Sequence, residues 1–228
     1  MDQDASESID FSNGPVLNDR EKAGEMLSLK LKKLSLRNPI VIAIPRGGVV
    51  TGAVIAKHLR CELDIIAPRK LHDPYEEELA IGAIMPDGTA FINESVVAAR
   101  GVPREYIESE KKVQIRESAR RMKEYRGDKP YPELKGRSVI LVDDGIATGA
   151  TMTLTARWAR THNPYELIIA VPVLPRDMLD ALSIEADRIV YLSAPIFFAG
   201  IGQFYKNFEQ VEDKEVISLL KKARSEGR

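Results

Sequence analysis

The chain has 228 residues, enough for one domain with appendages, and at 44% hydrophobic residues it can bury a sizeable core. A formal net charge of −1 provides no global field for nucleic acid or for a membrane surface. The single cysteine, Cys61, excludes an internal disulfide and a cysteine-based metal cluster, so a reducing, cytoplasmic setting is the expectation. The first ten residues are acidic and polar and do not read as a secretory leader, and no apolar run approaches the roughly 20 residues that span a bilayer.

Residues 1–17 read as a poorly ordered tail and 18–228 as one domain. Asn18-Asp19-Arg20-Glu21 reads as a helix start, with Asn18 as the cap and Glu21 three residues on. A stripe of Ala23, Met26, Leu27, Lys30, Leu31 and Leu34 carries that helix to about residue 36 and predicts packing on a sheet. Residues 40–44 form a short buried strand. Pro45-Arg46-Gly47-Gly48 follows, then a helix to about residue 59. The glycines permit unusual backbone angles and Arg46 adds a fixed charge with forked donors, so a tight turn and an anion-binding loop both fit. Residues 63–67 read as the next strand, which Pro68-Arg69-Lys70 leaves with two cations, either solvated or facing a ligand. Residues 72–78 are polar and turn-rich. Residues 81–85 and 89–93, around Pro86-Asp87-Gly88, predict a hairpin. A long polar helix is expected over 103–126. Ten Lys or Arg against six Asp or Glu over 100–129 leave it a local charge of +4, which suits a solvated face, a basic cover or a subunit contact.

The most informative stretch is Val139-Ile140-Leu141-Val142-Asp143-Asp144-Gly145-Ile146-Ala147-Thr148-Gly149-Ala150-Thr151. Four apolar residues, three of them β-branched, predict a strand buried on both faces. Two carboxylates follow at its end, then a Gly/Ala/Thr run that opens a helix. Free N–H groups at a helix N-terminus suit a phosphate, and the two acids can accept hydrogen bonds from vicinal hydroxyls. Phosphate on one side and a diol on the other describe a ribose 5-phosphate. A P-loop is excluded because Ala150, not lysine, follows Gly149. A glycosidase pair is excluded because adjacent strand residues point to opposite faces. The stretch resembles the 5-phosphoribosyl 1-pyrophosphate (PRPP) signature of the type I phosphoribosyltransferases. Gly145 and Ala147 depart from it, standing where that family often carries larger β-branched residues.

Further on, the helix continues to about residue 160, with Trp158 expected to pack. Strands follow over 166–172 and 186–192, with a helix from about 176 between them. Alternating strands and helices predict an α/β fold with a doubly wound, mainly parallel sheet flanked by helices, and ligands at the carboxyl ends of its strands. Residues 194–205 are small and aromatic and lie outside the alternation. Gly200-x-Gly202 lacks the third glycine of a dinucleotide fingerprint. A C-terminal helix is expected over 212–224.

The resemblance covers about residues 38–211. It implies a small hood from about 194 to 211 and an enzyme that transfers the phosphoribosyl group of PRPP to a nitrogenous acceptor, a nucleobase, releasing pyrophosphate. It implies ribose binding by Asp143 and Asp144. The 5-phosphate would lie on Gly145, Ile146, Ala147, Thr148, Gly149, Ala150 and Thr151. Pyrophosphate would lie on Arg46, Gly47, Gly48, Arg69 and Lys70, with Lys70 and Arg46 as the catalytic cations. The acceptor would lie against Phe197 and Phe198, and residues 72–78 would be a closing loop. Mg2+ would be held mainly by the substrate and by no direct protein ligand. A homodimer is implied, with no nucleic acid or membrane partner. A non-catalytic PRPP sensor and a phosphoribosyl-handling hydrolase or phosphorylase are the alternatives. A DNA-binding regulator would need an added helix-turn-helix, which residues before 38 do not supply. The hood carries no charge that would select an acidic base.

Overall fold

Runs of apolar residues make the central sheet. The computed structural model describes residues 17–76 and 79–226, so the expected tail, Leu17 apart, and two residues of the polar 72–78 loop, Glu77 and Glu78, lie outside the described residues. Strands β1 (Ile40–Ala43), β2 (Glu62–Ile65), β6 (Ser138–Val142), β7 (Glu166–Val173) and β8 (Arg188–Ser193) form one sheet in the order β2-β1-β6-β7-β8. Every neighbouring pair in it is parallel. The order reverses between β1 and β6, where the chain first builds outward to β2 and later to β7 and β8. Such a switch point opens a crevice at the carboxyl ends of the strands.

Alternation along β1 and β6 divides the core. Val41, Ala43, Ile140 and Val142 face helices α1 (Arg20–Leu31), α2 (Gly47–Leu59) and α7 (Asp213–Glu226). Ile40, Ile42, Val139 and Leu141 face α5 (Ala150–Thr161) and α6 (Met178–Ser183), with Trp158 buried among them. The doubly wound, mainly parallel fold is therefore present, both faces being covered.

Several boundaries differ from the sequence expectation. The cap of α1 is Asp19, whose carboxylate accepts from the Lys22 N–H at 2.8 Å, and the helix ends at Leu31 rather than near residue 36. Arg69 and Lys70 are not in a loop but begin β3 (Arg69–His72), which joins β4 (Ala80–Ile84) and β5 (Ala90–Ile92) in a separate antiparallel sheet. Arg-Lys-Leu-His has little strand propensity, so its ladder with β4 decides the matter. Helix α3 (Glu94–Arg100), which local pattern did not single out, is closed by Asn93 at one end and left-handed Gly101 at the other. The long helix falls where expected, as α4 (Arg104–Arg126). Along it Glu117 pairs with Arg121 and Glu108 with Lys111. Leu17, at the edge of the expected tail, is buried and bridges to Tyr205.

The end of α4 is tied to the sheet by a buried ion pair. Arg126 donates to both carboxylate oxygens of Asp64 at 2.7 Å, and to the carbonyls of Lys129 and Pro130. Removing one partner of such a pair leaves a buried charge alone. Arg126→Ala is expected to cost about 3–5 kcal/mol in urea unfolding, while replacing Asp64 and Arg126 together by apolar residues should cost far less.

Candidate functional site

The in-register pairing of β1 with β6, Ala43 beside Val142, carries both strands out of the sheet together. The Ile44 N–H still donates to the Val142 carbonyl at 2.9 Å. Beyond it, Pro45-Arg46-Gly47-Gly48 turns directly over Asp143-Asp144. The Pro45–Arg46 peptide is cis. The contact leaves no room for side chains on the glycines. A Cβ on Gly48 would lie 2.8 Å from Asp143 Cα and 2.9 Å from the Val142 oxygen. One on Gly47 would lie 1.8 Å from Asp144 Oδ2 and 2.7 Å from Arg20 Nε. Close approach, more than turn geometry, is what requires glycine here.

The two acids are not equivalent. Asp144 is buried, and its Oδ2 accepts from Arg20 Nε at 2.7 Å. Arg20 in turn donates through Nη1 to the Glu209 carbonyl at 2.8 Å and lies over the Phe208 ring, 3.9 Å from its centroid. The Tyr205 hydroxyl donates to the Asp144 carbonyl at 2.7 Å, and burial pushes that phenol's pKa far up, so it remains a donor. Asp143 accepts from the Asp144 N–H, at 2.8 Å. Withdrawal from water first, and the neighbouring Asp144 charge second, hold the Asp143 carboxyl well above the ordinary carboxylate range. Sequence pattern marked both acids but missed Arg20, Tyr205 and Phe208. No local signal could have found Arg20, which is 124 residues away from Asp144.

The loop after the acids is built to leave donors free. Gly145 packs under the hood, where a Cβ would meet Ile201 Cγ2 at 2.6 Å. Ile146 is buried, and its N–H donates to the Val173 carbonyl at 2.9 Å. Ala147 and Thr148 are exposed, and Gly149, at φ +74°, caps α5. The first helical bond runs from Thr153 N–H to the Gly149 carbonyl, so the N–H groups of Ala150, Thr151 and Met152 have no acceptor within the helix. That end of α5 is a ready anion site.

The sequence profile of the phosphoribosyl transferase domain matches residues 18–205. This chain belongs to the phosphoribosyl transferase domain family. It is 37% identical over 208 residues to proteins of two Mycobacterium tuberculosis strains, H37Rv and CDC 1551, each provisionally named a phosphoribosyl transferase. The match takes in 91% of this chain and 47% of theirs, so the chain spans about half the length of the curated relatives it matches. The crystal structure of TT1426 from Thermus thermophilus shares 35% identity at a TM-score of 0.76, over 90% of this chain and 98% of that one.

The remaining expected phosphoribosyl-site residues are placed less uniformly. Arg46 lies at the α2 start, its Nη1 3.7 Å from Asp213 Oδ1, which also accepts from the Tyr125 hydroxyl. Arg69 Nε donates to Gln114 Oε1 at 3.1 Å, and Lys70 is exposed on β3. No hydrogen bond or ion pair among the described residues joins Arg69 or Lys70 to the two acids. In the hood, a 3-10 helix spans Ile201–Phe204. Phe198 packs on Phe204 with centroids 5.3 Å apart, whereas Phe197 is 90% exposed. At the start of the expected closing loop, Asp73 accepts from the Tyr75 and Glu76 N–H groups and pairs with Arg100.

Asp143 carries a stability cost with a definite pH dependence. Its folded pKa lies above the ordinary value of 3.8, so ionisation disfavours the folded state increasingly as pH rises through 3.8 and then through the raised value. Asp143→Asn is therefore expected to be more resistant to urea than the parent at pH 7, with the difference shrinking toward pH 4. An unchanged difference across that range would contradict the assignment.

Proposed function

We propose that this domain transfers the 5-phosphoribosyl group of PRPP to a nitrogenous acceptor, a nucleobase, with release of pyrophosphate. The observation that carries this reading is the meeting of three parts at one crevice. The free N–H groups at the start of α5, the acid Asp143 and the Gly47-Gly48 turn with Arg46 all stand at adjacent strand ends. The 5-phosphate would rest on the loop from Gly145 to Thr151, and ribose hydroxyls would donate to Asp143. Pyrophosphate would extend toward Arg46, Gly47 and Gly48, with Arg69 and Lys70 approaching from β3. The acceptor nitrogen forms its bond to C1 as the bond from C1 to the pyrophosphate oxygen breaks, and the electron pair leaves with pyrophosphate. The acceptor's N–H proton passes to the departing pyrophosphate or to water, so no strong base is required and catalysis consists of holding the two reactants in line and neutralising the leaving group.

Among the described residues no three His, Cys, Asp or Glu side chains are gathered as a metal cage. Asp143, supported by the Asp144 N–H and lying beside the Gly48 turn, is the group that fits an ion arriving with its substrate. Mg2+ bound mainly through pyrophosphate and ribose oxygens would supply positive charge to the leaving group. Phe197, being unpacked, is the better placed of the two phenylalanines to stack on a base, Phe198 being engaged by Phe204. A cytoplasmic homodimer belongs to the same reading, which the family supports. No helix among the described residues is long and apolar enough to cross a membrane.

Two experiments test it. Gly149→Val should abolish binding of ribose 5-phosphate, because the left-handed backbone at Gly149 does not accept a branched side chain, while Thr151→Ala should only weaken it. Equal losses from both would count against a backbone cradle. Lys70→Ala should keep most of the PRPP affinity, yet slow pyrophosphate release roughly tenfold to a thousandfold, about 1.4–4 kcal/mol, because its charge acts mainly in the transition state. If the parent binds PRPP but no base or amine in a broad screen releases pyrophosphate, the domain is a PRPP sensor.

A further inference from the structure

Asp144 is committed before any substrate arrives. Its carboxylate is held by Arg20 Nε at 2.7 Å, its carbonyl by the Tyr205 hydroxyl at 2.7 Å, and both side chains of the ion pair are nearly enclosed, at 11% and 12% exposure. Arg20 comes from the first turn of α1, before the parallel sheet begins, and Tyr205, Phe208 and Glu209 come from the hood after it ends. One guanidinium thus joins three parts of the chain that share no strand. It also lies beside Gly47, whose missing side chain is what lets Asp144 and Arg20 meet there.

We propose that Arg20 is a positioning residue of the phosphoribosyl site. It holds Asp144 against the pyrophosphate turn and so leaves Asp143 as the single acid that receives the ribose hydroxyls. The same guanidinium locks the hood, through Phe208 and the Glu209 carbonyl, to the acidic turn. This rests on the function proposed above and adds a division of labour to it, with Asp143 facing substrate and Asp144 facing the protein. Without Arg20, Asp144 would lose its counter-charge and repel Asp143 at the turn, and the hood would lose its anchor. Lysine could keep one contact to Asp144 but neither the fork to Glu209 nor the flat stack on Phe208.

The test measures PRPP affinity by calorimetry, with Mg2+, for the parent, Arg20→Ala, Arg20→Lys, Asp144→Asn and the Arg20→Ala/Asp144→Asn double variant. Melting curves are recorded on the same samples. Binding is measured well below every melting temperature. Arg20→Ala is expected to bind at least tenfold more weakly while folded, with Arg20→Lys in between. Asp144→Asn added to Arg20→Ala should recover part of the lost affinity, because it removes the uncompensated charge that repels Asp143. A residue that only stabilised the fold would lower the melting temperature and leave affinity within twofold, and that result overturns the proposal. If Arg20→Ala does not fold, Arg20→Lys decides, and affinity within twofold of the parent overturns it. A parent that binds neither PRPP nor ribose 5-phosphate overturns the proposed function itself, an outcome distinct from a parent that binds and a variant that binds equally well.

Discussion

Two adjacent carboxylates at the end of a buried strand cannot both remain charged and close without a counter-charge, and the rest of the site follows from how that repulsion is met. Arg20 neutralises Asp144 at 2.7 Å, and the Asp144 N–H supports Asp143 at 2.8 Å. The residual strain of the pair falls on Asp143, whose carboxyl is driven upward by burial and by its neighbour. Gly47 and Gly48 are required by the same arrangement, since any side chain there would occupy the space of the acids or of Arg20. A group held at such cost at the carboxyl end of a parallel strand is where ligand chemistry is expected.

Parallel connectivity then brings the polar ends together. Helix α2 follows β1 and helix α5 follows β6, so both point their N-termini at the carboxyl ends of these adjacent strands. Their dipoles favour negative charge, and they flank Asp143 from the two sides of the switch point. A ligand with phosphate at both ends of a diol suits that charge pattern.

The segment after β8 packs against Gly145, one of the two positions that depart from the signature the stretch resembles. Gly145 has no side chain, and Ile201 reaches into the space one would fill. Together with the Tyr205 hydroxyl on the Asp144 carbonyl, this fastens the hood directly to the loop that follows β6. Hood and loop should therefore respond as one body to substitutions in either.

Much of the fold was legible in the residues alone. The apolar runs of β1 and β6, the alternation of strands and helices, and the long polar α4 follow from periodicity and side-chain volume, which act locally. The turn from β6 into α5 was legible for the same reason, since a Gly/Ala/Thr run after a buried strand marks a helix start with unpaired backbone N–H groups. Arg69-Lys70 was not, since a polar tetrapeptide becomes a strand only when β4 offers a ladder. Nor was the inequality of Asp143 and Asp144, identical in chemistry and adjacent in sequence. Only the folded chain decides it, by bringing Arg20 and Tyr205 from opposite ends to one of the two acids. Charge neutralisation acts through space, and sequence distance carries no information about it.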